Sequence, residues 1–184
     1  MMEKRERVSK IICFFFLILF LFSLLQVISP LLLPTGMYTN LSGMVGINDN
    51  DHLIESMPIP LNFIYSCGDR LCHQKAERSF LLNENQMPFC SRCSAIWIGL
   101  AIGLGVLVFY TIGLDEKFLY LLLLSFIPIG VDGVGQLIGF WESTNVIRVF
   151  TGLLVGITSG MGIGIIIDEL KNNVFQGDGK TVKK

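Results

Sequence analysis

The chain has 184 residues, of which 52% are hydrophobic and 16% charged, with a mean hydropathy of +0.61; soluble domains carry about 25% charged residues. That surplus of apolar surface excludes an ordinary soluble globule and calls for lipid as part of the solvent. The net charge of −1, with no basic stripe interleaved with aromatics, gives no footprint for nucleic acid as a partner.

Lys4, Arg5, Arg7 and Lys10 form a basic flank ahead of an uncharged run from Ile11 to about Leu33. About 20 apolar residues span a bilayer, so residues 1–33 are expected to hold a flank and a first transmembrane helix. A cleavable signal peptide begins in the same way. The apolar part here is longer than a usual signal core, however, and Pro30-Leu-Leu-Leu-Pro34 lacks a small-x-small cleavage pattern, which favours a retained anchor. Cys13, inside this run, reads as a small apolar residue.

Residues 34–66 form a polar outer loop without Lys or Arg, in which Pro58 and Pro60 lead an extended entry into a short interfacial element at Asn62–Ser66. Residues 67–93 carry four of the five cysteines. Residues 94–167 then supply three further spans: Ser94 to about Gly113, Phe118 to about Trp141, and Ile147 to about Ile167, with a polar turn at Leu114–Lys117. Pro128 is expected to kink the third span and free a backbone carbonyl. The polar tail, 168–184, reads as disordered. The fold class expected is therefore an all-α integral membrane protein with four transmembrane helices and an extracytoplasmic Cys-rich loop.

Four spans put both termini on one side. That side carries nine basic residues (Lys4, Arg5, Arg7, Lys10, Lys117, Lys171, Lys180, Lys183, Lys184), against five on the other (Arg70, Lys75, Arg78, Arg92, Arg148). The positive-inside bias places the termini in the cytoplasm of a cell-membrane protein and the cysteines outside. Gly152, Gly156, Gly160 and Gly164 recur every fourth residue, and Gly99/Gly103 and Gly135/Gly139 repeat the spacing. Such small-xxx-small faces let helix backbones approach closely, so the last three spans should form one bundle with the first helix more peripheral; the same faces offer a route to a homo-oligomer.

The cysteines read C-x4-C-H-x16-C-x2-C. Cys90 and Cys93 have the spacing by which one knuckle presents two thiolates to a metal. Cys67 with Cys72, or Cys72 with His73, completes a tetrahedral set; adjacent residues seldom point into one site, which favours Cys67 on geometry. His52 in the acidic loop is a further candidate. Cys93 opens the second span, where the helix dipole and Arg92 favour thiolates. A pair of disulfides, or a redox-active Cys90-x-x-Cys93, is the competing reading for an oxidising compartment.

A second polar set lies further on. Asp132 and Gln136, at i and i+4, share one face of the third span; Glu142 and Asn145 form the outer turn, and Arg148 opens the fourth span. A carboxylate at membrane depth needs a partner, and Arg148 is the obvious one. These residues, with Arg78 and Arg92 as anion-binding candidates, would line an outward-facing pocket beside the cysteines.

Cys72-His73-Gln74, Glu77-Arg78-Ser79-Phe80, Pro88-x-Cys90-x-Arg92-Cys93, Gly99, Asp132-Gly133-x-x-Gln136, Glu142-Ser143-Thr144-Asn145, Arg148 and Thr151-Gly152 together resemble the prokaryotic membrane family called domain of unknown function 2085, over roughly residues 60–165. The resemblance implies a small integral membrane protein and supplies no activity. It implies a core set of Cys72, His73, Cys90 and Cys93, with Cys67 outside it, so a three-cysteine, one-histidine site stands beside the four-cysteine one. Where the family shows a Thr-Gly-like step after the last cysteine, this chain has Ser94-Ala95.

The leading expectation is a zinc knuckle, structural because four protein ligands leave no open position, capping the polar pocket; iron is the other candidate metal. The rivals are a membrane thiol-disulfide oxidoreductase and a membrane hydrolase or lipid-headgroup enzyme using Asp132 and Arg148, the latter without an HExxH, GxSxG or P-loop to support it.

Overall fold

An apolar segment in lipid must bond its own backbone, and four segments do so as long helices. The computed structural model describes residues 2–4 and 9–178. In chain order it contains β1 (Met2–Lys4), α1 (Lys10–Leu32), α2 (Asp51–Ile54), α3 (Leu61–Leu71), a 3-10 turn (Ala76–Arg78) and the two-residue strands β2 (Leu81–Leu82) and β3 (Asn85–Gln86). There follow α4 (Ser91–Phe109), β4 (Tyr110–Ile112), α5 (Glu116–Leu137) and α6 (Asn145–Asp178). Four helices are long and apolar enough to cross a membrane: Lys10–Leu32, Ser91–Phe109, Glu116–Leu137 and Asn145–Lys171.

The inner pair is α4 and α6, and glycine is the reason. A Cβ on Gly156 would lie 2.5 Å from the Ile96 carbonyl oxygen, and one on Gly103 would lie 2.2 Å from that of Ile157. Any side chain at either point would force the helices apart. The two glycine faces are thus taken up within the chain by each other. α1 packs on α4, where the Phe22 and Trp97 rings lie 4.8 Å apart. α5 packs on α6, where the Ser125 and Thr158 hydroxyls meet at 2.7 Å.

Three expectations change. First, the bundle takes in α1 as well: it packs on α4 as α5 packs on α6, while remaining the least buried of the four spans. Second, Gly135 does not receive a helix: it receives the Trp141 ring, with a Cβ position 2.3 Å from Cζ2. Gly139, at φ +76°, closes α5 in a left-handed turn in which the Phe140 N–H reaches the Gly135 carbonyl at 2.9 Å. Third, α6 runs ten residues past Asp168 to Asp178, so the start of the expected disordered tail is helical; residues 179–184 lie outside the described residues. α5 passes through Pro128 without ending.

β1 pairs antiparallel with β4, Met2 opposite Ile112 and Lys4 opposite Tyr110. This ties the N-terminus to the α4–α5 connection at one end of the bundle, as an even number of spans requires.

At the other end, residues 33–90 form a cap rather than a loose loop. Leu33, Tyr38, Leu41, Ile54, Met57, Leu61, Ile64 and Tyr65 make a buried core of its own. α3 supplies Leu61, Ile64, Tyr65 and Gly68 at i, i+3, i+4 and i+7, one helical face. Side-chain amides serve the irregular backbone around it. Asn85 donates to the Pro30 and Pro34 carbonyls at 3.1 and 2.9 Å, satisfying the open C-terminal end of α1, while its Oδ1 accepts from the Tyr38 N–H at 3.0 Å. Gln86 accepts from the Leu41 N–H at 3.2 Å.

Candidate functional site

The cap and the bundle meet at the cysteines. Cys72 ends α3 in extended conformation, and Cys90 is the N-cap residue of α4 with Cys93 in its first turn. Gly68 permits this junction: a Cβ there would lie 1.9 Å from the Pro88 carbonyl oxygen. Gln74, held at φ +42°, donates to the same carbonyl at 2.7 Å and locks the strand entering α4 against the end of α3.

As a result the Cys72, Cys90 and Cys93 sulfurs all lie within 4.8 Å of one another. Sulfurs sharing one zinc at about 2.3 Å sit roughly 3.8 Å apart, so the set fits a single ion of that size. The Cys90 N–H donates to the Cys72 sulfur at 3.4 Å, a contact that favours negative charge on it. Hydrogen bonds from the Cys72 and Cys93 thiols push the Cys90 thiol down to about 2. Its hydrogen bond with Cys90 pushes Cys72 up. A bound metal ion would favour the thiolate form of all three.

Neither Cys67 nor His73 lies within that mutual reach. Cys67 sits half-buried inside α3, its thiol pushed up by burial. His73 is exposed, and lines a cavity of about 310 Å³ together with Lys75, Arg78, Cys90, Arg92, Cys93 and Arg148. The cavity therefore lies open beside two of the three thiols. His52 lies exposed on α2, outside the thiol group. The expectation of four gathered protein ligands is reduced to three sulfurs with a histidine on an adjoining wall.

The residues of the second polar set lie close together, with a different ion pair from the one anticipated. Asp132 is paired with Arg92 of α4, not with Arg148. The cause is the close α4–α6 contact: Gly152 brings the Arg92 carbonyl so near that a Cβ would lie 2.7 Å from it, and the Arg92 side chain crosses to α5 beside Gly133. Ser143 donates to the Asp132 carboxylate at 2.9 Å, and the other carboxylate oxygen, buried, has no hydrogen-bond partner among the described residues.

Arg148, 5% exposed, has neutral partners among the described residues: Asn145 Oδ1 at 3.0 Å and, with the amide oxygen turned toward it, Gln136 at 2.9 Å. The same Gln136 oxygen accepts from Arg78 at 3.1 Å. Ser91 completes the set by donating to Asn145 at 3.0 Å. A cleft of about 460 Å³ runs along these groups, lined by Arg78, Gln136, Trp141, Ser143 and Arg148, with Glu77 and Glu142 also on its walls. Ser91 and Ser143 were not singled out as site residues from the sequence, although Ser143 stands within the Glu142–Asn145 motif. Both lie next to residues that were, Cys90 and Glu142, but hydroxyls in polar turns carry no spacing that marks them.

Four spanning helices under a cap that gathers three thiols define a multi-pass helical membrane protein with a cysteine cluster at its surface. The family model described as a predicted membrane protein, DUF2085, matches residues 72–162, which take in all three thiols, Arg92, Asp132 and Arg148. An uncharacterized protein of Methanocaldococcus jannaschii is 36% identical over 97 residues, covering 52% of this chain and 62% of that one. The chain thus spans less than two thirds of that relative. An uncharacterized protein of Methanothermobacter thermautotrophicus is 35% identical over 105 residues, covering 57% of this chain and 91% of that one. No solved structure matches. The chain belongs to the DUF2085 family of predicted membrane proteins.

Proposed function

We propose that this is a cell-membrane protein, termini in the cytoplasm, whose extracytoplasmic cap is fastened to the bundle by a metal ion at Cys72, Cys90 and Cys93. The observation that carries this reading is the gathering of three sulfurs from two separate segments, with a backbone N–H donated to one of them. Thiolates in this number suit zinc first and iron second. His73, on the wall of the adjoining cavity, is the proposed fourth ligand. The role is structural: the ion joins the end of α3 to the start of α4, and so sets the wall of the polar cleft beneath. Lipid is the surrounding partner.

Elemental analysis of anaerobically purified protein tests this. About one metal per chain, lost in the Cys90→Ser/Cys93→Ser variant, is expected. Metal-free protein that forms disulfides in air would overturn it.

One observation favours a second reading. The Cys90 and Cys93 sulfurs lie within 4.8 Å of each other, with hydrogen bonds that push the Cys90 thiol down, the arrangement of a dithiol reductant. Cys90 would attack a substrate disulfide and expel one thiolate; Cys93, losing its proton, would then release the second thiolate and leave a Cys90–Cys93 disulfide for an external reductant. The hydrolase reading has less support, because the Asp132 carboxylate is already engaged by Arg92 and Ser143.

A further inference from the structure

Two guanidinium groups from distant parts of the chain, Arg78 of the cap and Arg148 of α6, donate to one neutral oxygen, that of Gln136. Like charges brought this close repel, and burial of Arg148 removes the water that would screen them. Among the described residues Arg148 has no carboxylate partner. The Nε of Arg78 faces a Glu77 carboxylate oxygen at 3.6 Å, beyond hydrogen-bond length, and that carboxylate is 66% exposed; among the described residues this Nε makes no hydrogen bond. Glu142, the other acid on the cleft wall, is exposed. Asp132 is held by Arg92. The interior of the cleft therefore presents two converging cations with unused donors and no anion between them.

The far wall of the cleft is Trp141, 44% exposed. The ring lies on Gly135, where no side chain would fit beneath it, and Trp141 also borders an open apolar groove with Val131 and Val134 of α5 and Ile138 and Phe140 just beyond its end. Arg148 and Gln136 stand at the cap ends of their spans, the depth of lipid headgroups, and the groove runs from there along the lipid-facing side of α5. A cationic cleft that continues past one indole into an apolar groove has the shape of an amphiphile with an anionic head.

We infer that the cleft binds the phosphate of an anionic membrane lipid, held by Arg78 and Arg148, with the lipid's apolar portion along the Trp141 groove. Arginine forks match phosphate oxygens two at a time, and a phosphate would replace the guanidinium–guanidinium repulsion with attraction. This inference rests on the polar pocket of the proposed function, and not on its metal.

Native mass spectrometry of the full-length, detergent-purified protein with added phosphatidylglycerol or phosphatidylcholine tests it, with inorganic phosphate titrated in parallel. Phosphatidylglycerol is expected to bind at least about tenfold tighter than phosphatidylcholine, and the preference to vanish in Arg78→Gln and Arg148→Gln. Arg78, half-buried on a turn, guards against the case in which Arg148→Gln does not fold. Trp141→Ala is expected to weaken phosphatidylglycerol several-fold while leaving phosphate unchanged. Equal retention of the two lipids would overturn the inference, as would phosphate binding as tightly as phosphatidylglycerol, which would mark a soluble anion. Metal content measured on the same samples separates the two readings: unsubstituted protein that holds its metal but shows no preference between the two lipids counts against this inference alone.

Discussion

The α4/α6 pair and the cap solve the same problem, burying a chain, in opposite ways. In lipid there is little to gain from moving apolar side chains out of hydrocarbon, so the pair is held by surface fit: Gly99, Gly103, Gly152, Gly156 and Gly160 remove side chains until backbones touch. In water the cap buries Leu41, Ile54, Ile64 and Tyr65 and then must satisfy an irregular backbone, which it does with the amides of Asn50, Gln74, Asn85 and Gln86. One region has room for apolar substitutions on its lipid-facing side and for no added volume at the seam. The other tolerates volume better than it tolerates an orphaned polar group. The cysteines sit on the boundary and belong to both.

Substitutions sharpen that contrast. The largest effect is expected at the seam: Gly156→Val places carbon against the Ile96 carbonyl and should cost about 3 kcal/mol or more. Gly130→Val, with open space around it, should be near-silent. Folded yield and thermal stability in detergent compare the two, and equal losses would refute the seam. Next is the ion pair of Asp132, 4% exposed, with Arg92. Removing one partner alone, as Arg92→Gln, should cost about 3 kcal/mol, and Arg92→Gln/Asp132→Asn together less than the sum of the singles. Additive singles, measured by the same melts, would place the partner of Asp132 elsewhere.

In the cap, Asn85→Ala leaves the Pro30 and Pro34 carbonyls and the Tyr38 N–H without their partner and should cost about 1–3 kcal/mol. Asn85→Leu should be no better, since the loss is of hydrogen bonds and not of volume. The smallest effect is expected at the other end of the bundle. Asp115 caps α5 by accepting from the Phe118 N–H at 2.8 Å, which holds its carboxyl below the usual carboxylate range. The stabilisation is present above the ordinary aspartate pKa and fades as pH falls through the lowered folded value. Asp115→Ala should therefore shift the melting temperature slightly at pH 7 and less in acid.

Much of the membrane half was legible because lipid imposes a simple rule: long uncharged runs, small residues on one face. The period of four from Gly152 to Gly164 named the α6 face that meets α4. Which partner meets Asp132 was not legible, because it depends on how α4 is rotated, and that rotation is set by contacts such as Gly152 against Arg92. The cap core escaped notice for a different reason. Tyr38, Leu41, Ile54 and Met57 are spread through a polar stretch with neither a period of two nor of 3.6, and their burial is decided by α3 and β3, far along the chain. The β1–β4 pairing involves three-residue strands, too short to carry a pattern. Of the cysteine segment, the Cys90-x-x-Cys93 knuckle was visible from spacing. The absence of Cys67 from the thiol group follows from α3 running to Leu71, which fixes Cys67 on the helix while Cys72 leaves it.

The most direct measurement is X-ray absorption at the metal edge of the anaerobically purified protein. Three sulfurs at about 2.3 Å and one nitrogen at about 2.0 Å are expected from Cys72, Cys90, Cys93 and His73, with one sulfur lost in Cys72→Ser. A shell of oxygen and nitrogen alone, or one unchanged by Cys72→Ser, would contradict the assignment of these three thiols to the metal.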